Sequence, residues 1–199
     1  MKRHLSSSKK VFTKNLALQA ILPVIIVVML LAPRNSFAQN MQSGASDTIK
    51  VLPKTTYPKV VGYLSFILPI VTVSNTTTTN FSHATGSIGF PVGINVLYSA
   101  RFGFSYEITP TVKVSGGTSK TSNLLFDPGT MFRFDHGFTI ITRLAFETQG
   151  RYGFTPVFNQ VYARTKDVNY FVALSLPARF GNSAAASVGL NLQIGFIFN

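Results

Sequence analysis

A chain of 199 residues holds one domain's worth of protein beside a targeting segment, which excludes a large multidomain enzyme. Its formal charge of +12 suggests a nucleic-acid binder, but six of its 18 basic residues (Lys2, Arg3, Lys9, Lys10, Lys14 and Arg34) fall in the first 38 positions, where no acid stands. The remaining bases are scattered singly with no run to track a phosphate backbone, so no nucleic-acid partner is expected. Cysteine is absent, which removes disulfide scaffolds, thiolate metal sites, cysteine nucleophiles and the acylated cysteine of a lipoprotein.

A basic stretch to Lys14, an apolar run from Leu16 to Leu31 and a small-residue ending at Ser36-Phe37-Ala38 compose a secretory signal peptide over 1–38. The apolar run borders the ~17 residues that just span a bilayer. Pro23 and the small-residue site favour cleavage after Ala38 over a retained anchor. Positions 39–59 are polar, with Pro53 and Pro58 and no periodicity, and read as a flexible periplasmic tail.

From Val60 onward the chain alternates apolar and polar residues in segments of about ten, the period of a β-strand. Segment 87–98 carries Ile88, Phe90, Val92, Ile94, Val96 and Tyr98 on one face, with Ser87, Gly89, Pro91, Gly93, Asn95 and Leu97 on the other. Segments 102–109, 138–147 and 187–198 divide in the same way, and 62–72, 124–134, 152–162 and 170–180 are weaker members. The sum is eight candidate strands, the smallest usual size of a membrane barrel. Breaks at 74–83 and 113–122 read as long loops, and those at 99–101 and 135–137 as short turns. That alternation fails in the second half, where 148–151 would be a short outer loop and 163–168 a longer inner one.

Sorting the two faces by charge decides which of them meets lipid. The polar face is made of Gly, Ser, Thr, Ala and Asn with charges of both signs at Glu107, Asp127, Arg133, Arg143, Glu147, Arg151 and Arg179, a candidate charge network for a narrow lumen. In strands two to eight the apolar face carries no ionisable acid or base, as lipid exposure demands, since a lipid-facing Arg or Lys at the midplane costs ~2 to 4 kcal/mol. Aromatics gather toward segment ends (Tyr98, Phe102, Phe134, Phe138, Tyr152, Tyr162, Tyr170, Phe180 and Phe198), where interfacial girdles belong. Pro69, Pro91, Pro128, Pro156 and Pro177 oppose this reading, because a closed barrel has no edge to hide a missing donor, and bulges are required. Asp127-Pro128-Gly129 also has the residue order of a β-turn, which would shorten the fourth strand.

The signal peptide, the alternating segments and the terminal Gly195-Phe196-Ile197-Phe198 resemble the small outer-membrane β-barrel proteins of Gram-negative bacteria, eight-stranded and porin-like. The resemblance covers about 60–199 and implies an antiparallel up-and-down transmembrane barrel, located in the outer membrane with both chain ends in the periplasm. It further implies contact with outer-membrane lipid and insertion by barrel-assembly machinery that recognises a last strand ending in an aromatic, here Phe198 followed by Asn199. No activity follows from it, because this architecture hosts adhesins, anchors, enzymes and channels alike.

Of the histidines, only His83 and His136 lie beyond the signal peptide, both in connections and with no Ser or acid at a recognisable catalytic spacing, so neither an enzyme nor a metal or cofactor site is expected. The leading expectation is a structural, adhesive or interaction role through the extracellular loops 74–83 and 113–122. A narrow channel for small solutes comes next, then a lipid-modifying enzyme, then a soluble lipocalin-like barrel with its faces inverted.

Overall fold

The computed structural model describes residues 55–80 and 85–198; the signal peptide, positions 39–54 of the tail, His83 and Asn199 lie outside the described residues. The strands are β1 (Lys59–Val73), β2 (Thr77–Thr79), β3 (Thr85–Gly89), β4 (Val92–Leu97), β5 (Phe102–Ser115), β6 (Thr118–Arg133), β7 (Phe138–Glu147), β8 (Tyr152–Arg164), β9 (Val168–Ser175), β10 (Ala178–Phe180) and β11 (Ser187–Phe198). Every pairing is antiparallel, and β11 returns to β1 in a ladder running from Tyr63 opposite Ile197 to Val73 opposite Val188. β3 and β4 form one stave interrupted at Phe90-Pro91, and β9 and β10 form another interrupted at Leu176-Pro177. β2 folds back on the end of β1. The result is a closed up-and-down ring of eight staves, the fold class read from the alternation.

The prolines sit where the ring tolerates a missing donor. Pro69 adjoins a bulge between Pro69 and Val71 in the β1–β11 ladder, and the carbonyl of the looped-out Ile70 accepts from Asn80 N at 3.2 Å. The two interruptions fall beside other prolines whose carbonyls take up the local donors: Phe90 N donates to Pro110 O at 2.9 Å, and Leu176 N to Pro156 O at 3.0 Å. Pro91 and Pro177 accept in turn from Ser65 N and Gly189 N. Pro128 lies inside β6, whose ladder to β5 runs unbroken past it while the ladder to β7 skips from Phe126 to Gly129. Asp127-Pro128-Gly129 is therefore strand, not turn.

Two connections differ from expectation. Segment 113–122 is no loop, because β5 and β6 extend as a hairpin closed by Gly116-Gly117, both at positive φ (58° and 78°) as a two-residue hairpin turn requires. Segment 163–168 shrinks to 165–167, because a bulge between Val161 and Ala163 carries β8 on to Arg164. All three turns at the end holding Lys59 and Phe198 are thus short, while 74–80 and 181–186 lie at the opposite, loop end with 148–151.

The two faces sort as charge predicts. Leu64, Phe66, Ile94, Tyr106, Ile108, Leu144, Phe154 and Ile194 face outward, each more than a third exposed, while Tyr63, Ser65, Asn95, Glu107, Arg143 and Gln193 are buried inside. Every charged residue of the described strands has the inward register. Lys59, Arg133 and Arg164 line the lumen at the terminal end, and Glu107, Asp127, Arg143, Glu147 and Arg179 line its middle. Lys113 lines the loop end, with Lys120 directly across the ladder from it. A soluble barrel has the reverse arrangement.

Outward aromatics collect in two belts. Tyr98, Phe104, Phe102 and Phe132 make consecutive ring contacts at 5.3 to 5.7 Å near the terminal end, where Tyr162, Tyr170, Phe196 and Phe198 continue the belt. Tyr152, Phe154 and Phe180 cluster at the other. Tyr152 and Tyr162 are ten residues apart on β8. At ~3.3 Å per residue and ~40° of tilt that separation is ~25 Å, the height of a lipid-facing band.

Gly93 makes room for the Tyr63 ring, because a Cβ at that position would clash with its Cζ, Oη and Cε1 atoms. Gly93→Ala is expected to lower unfolding stability by ~1 to 3 kcal/mol through overpacking, read as an earlier urea midpoint for the refolded barrel.

Candidate functional site in the barrel lumen

At mid-height the lumen is filled by a polar hub on Glu107. Arg143 pairs with its Oε2 at 2.9 Å, Tyr63 Oη donates to the same oxygen at 2.8 Å, and Thr109 Oγ1 donates to Oε1 at 3.0 Å. Arg143 Nη2 also donates to Tyr63 Oη at 3.0 Å and to Ser105 Oγ at 3.1 Å, while Gln193 donates to Ser65 Oγ at 2.8 Å. These side chains come from β1, β5, β7 and β11, so the hub ties together walls that are not neighbours in the ring. All are buried, and a buried carboxylate and guanidinium are tolerated because each meets its opposite together with hydroxyl partners.

Toward the loop end a second pair forms between Arg179 Nε and Glu147 Oε1 at 3.0 Å, with Arg179 Nη1 also donating to Thr155 Oγ1 at 3.0 Å. Between the two pairs lies a cavity of about 220 Å³ whose charged lining is Glu107, Asp127, Glu147, Arg143, Arg151 and Arg179. Above it is a vestibule of about 510 Å³, sharing Pro69, Thr72, Thr111, Asn123 and Arg151 with the cavity. Below it, at the Tyr63, Arg143, Phe171 and Gln193 level, the free space falls to about 20 Å³. A basic vestibule of about 560 Å³ follows at the terminal end, lined by Lys59, Arg133 and Arg164 with Asp135 and His136.

Six of the seven residues expected to form a lumen network therefore surround one cavity. Arg133 does not belong with them, because it sits near the end of β6 and opens on the vestibule beyond the constriction. His136 is an exposed turn residue at φ 62°, its carbonyl accepting from Gln160 Nε2. Selecting the network by charge alone passed over Tyr63, Ser65, Ser105, Thr109, Thr155 and Gln193. Their signal was their inward parity, and for Tyr63 the presence of a large aromatic on a face of small residues.

No protein-family model matches the chain, and no curated protein matches it in sequence. Among solved structures, a de novo designed transmembrane β-barrel aligns with TM-score 0.47 and 9% identity, over 72% of this chain and 97% of the designed one. The outer membrane protein OprG from Pseudomonas aeruginosa aligns with TM-score 0.41 and 11% identity, over 70% of this chain and 93% of its own.

Arg143→Ala would strand the buried Glu107 carboxylate, and a loss of ~3 to 5 kcal/mol in urea unfolding is expected. Arg143→Met combined with Glu107→Leu should recover a large part of it, because no uncompensated charge is left inside.

Proposed function

We propose that this chain is an integral outer-membrane barrel whose role is structural, adhesive or interactive, exercised through the loops at the end opposite its termini. One observation carries the membrane reading: the described strands present no charged side chain outward, while their apolar face is bounded by two aromatic belts. On this reading both chain ends lie in the periplasm, and β11, ending at Phe198, is the segment that barrel-assembly machinery engages. The outward contacts then fall to the segment that follows β1, β2 included, and to the β5–β6 hairpin, which reaches the loop end around Gly116-Gly117.

A second reading, slow passage of small polar solutes, is favoured by the row of cavities that share lining residues along the lumen and are interrupted at one constriction. Passage requires the Tyr63–Glu107–Arg143 hub to part. Buried and ion-paired as it is, the hub supports the closed barrel as the primary reading.

The processed protein should stay with membranes after carbonate washing and migrate faster on gels unheated than heated; recovery in the soluble periplasmic fraction would sink the membrane reading. Leu144→Arg, placing a charge on the outward face of β7, should lower unfolding stability in vesicles by ~2 to 4 kcal/mol. Planar bilayers should stay silent with the wild-type barrel, whereas discrete conductance steps altered by Arg143→Ala would favour the channel.

A further inference from the structure

We infer that the cavity between the two ion pairs is a binding cup for a small zwitterionic solute, with Asp127 receiving its ammonium group and Arg151 its carboxylate. The starting point is the charge pairing of the six ionisable side chains that line it. Glu107 is taken by Arg143 and Glu147 by Arg179. Asp127 and Arg151 are left over, one of each sign, and neither is in an ion pair among the described residues.

Both line the cavity, and neither has its hydrogen-bonding capacity filled. Asp127 is only 3% exposed, yet its Oδ1 has no hydrogen-bond partner. A buried carboxylate oxygen in that state has lost its water and gained nothing in exchange, a cost that a ligand's N–H donors remove. Arg151 Nη2 donates to Ser187 Oγ at 2.9 Å and to the carbonyls of Arg179 and Ala185 at 3.3 Å, none of them a carboxylate, and its Nε has no partner. An arginine held by neutral acceptors keeps its full charge for an incoming anion.

The spacing suits a molecule with two charged ends. Leu125 lies opposite Glu147 in the β6–β7 ladder, and Glu147 N donates to Arg151 O at 2.8 Å, which sets Arg151 one inward row above Asp127 and two strands away. With strands ~4.8 Å apart and an inward row every ~6.6 Å, the two backbones are ~12 Å apart. The Arg151 guanidinium is held on the Ser187 and Ala185 side of the cavity and Asp127 stands on the β6 wall, so an amino acid hydrogen-bonded at each end would span the space between them. The volume of about 220 Å³ is several times the ~30 Å³ of one water in the liquid. Thr109, Thr111, Asn123, Thr155 and Asn191 supply hydroxyl and amide groups around the remainder.

The same lining argues against ligands that carry charge of only one sign. Its three carboxylates and three guanidiniums balance, so a phosphate or an inorganic cation would meet like charges at close range. Access is from the loop end through the upper vestibule, and the constriction of about 20 Å³ closes the floor. This inference goes beyond the membrane reading and is tested apart from it, because binding is read on the barrel refolded in detergent.

The test is an NMR titration of the isotope-labelled refolded barrel with glycine, β-alanine and γ-aminobutyrate, whose charges are progressively further apart, and with methylammonium and acetate as single-ended probes. At least one of the three amino acids should bind saturably, shifting amides near Asp127 and Arg151, and about tenfold or more tighter than either single-ended probe, as the loss of one charged hydrogen-bonding end implies. Asp127→Asn and Arg151→Gln should each weaken binding by about tenfold or more, with heat-modifiable migration retained, while Arg133→Gln beyond the constriction leaves it unchanged. If either variant fails to fold, the wild-type comparison of two-ended with single-ended probes decides. No saturable binding by any of the three amino acids overturns the proposal, as does methylammonium or acetate binding as tightly as they do, or a folded Asp127→Asn barrel that binds normally.

Discussion

The ladder between β1 and β11 is the contact on which the rest of the structure depends. A sheet of this length left open would present two rows of unpaired N–H and C=O groups, which water can satisfy and hydrocarbon cannot. Closing from Tyr63–Ile197 to Val73–Val188 removes both edges at once. It also divides the side chains into an inside and an outside with no intermediate position, because successive residues of a strand point to opposite faces.

Closure then dictates the lumen chemistry. Eight strands enclose a space that side chains nearly fill, so a charge placed inward loses most of its water. Glu107 and Arg143 are tolerable there because they meet each other, and because Tyr63, Ser105 and Thr109 occupy hydrogen-bonding capacity that water would otherwise have filled. The hub also depends on what is missing nearby. Tyr63 reaches Glu107 by lying across Gly93, where a side chain would displace the ring. Bulges and interruptions at Pro69, Pro91 and Pro177 bend the staves without opening the ring, since neighbouring proline carbonyls accept the donors that local irregularity frees.

Much of this was legible along the chain. Eight alternating segments, the inward parity of Glu107, Asp127, Arg143, Glu147, Arg151 and Arg179, and the aromatic segment ends all reappear, because strand period and face polarity are local properties. The differences are equally physical. Segment 113–122 is polar and contains paired glycines, which reads as a loop, but polar residues pair as well as apolar ones once a hairpin stands clear of the apolar band. Segment 163–168 looked long because a bulge after Val161 breaks the alternation while the pairing continues. Arg133 has the right parity but the wrong height, and height along the axis depends on the stagger of neighbouring strands.

By itself, the sequence determined that the chain is β-structured, that its two faces differ in polarity, and that charge belongs to only one of them, because a period of two assigns each residue a face without reference to any other strand. Only the tertiary structure decided which charges meet. Glu107 and Arg143 are 36 positions apart, and Tyr63 lies a further 44 from Glu107, so their contact exists only once the ring closes and sets the register of every stave. The same closure leaves Asp127 and Arg151 without an ion pair among the described residues in a shared cavity, a circumstance that no spacing along the chain encodes.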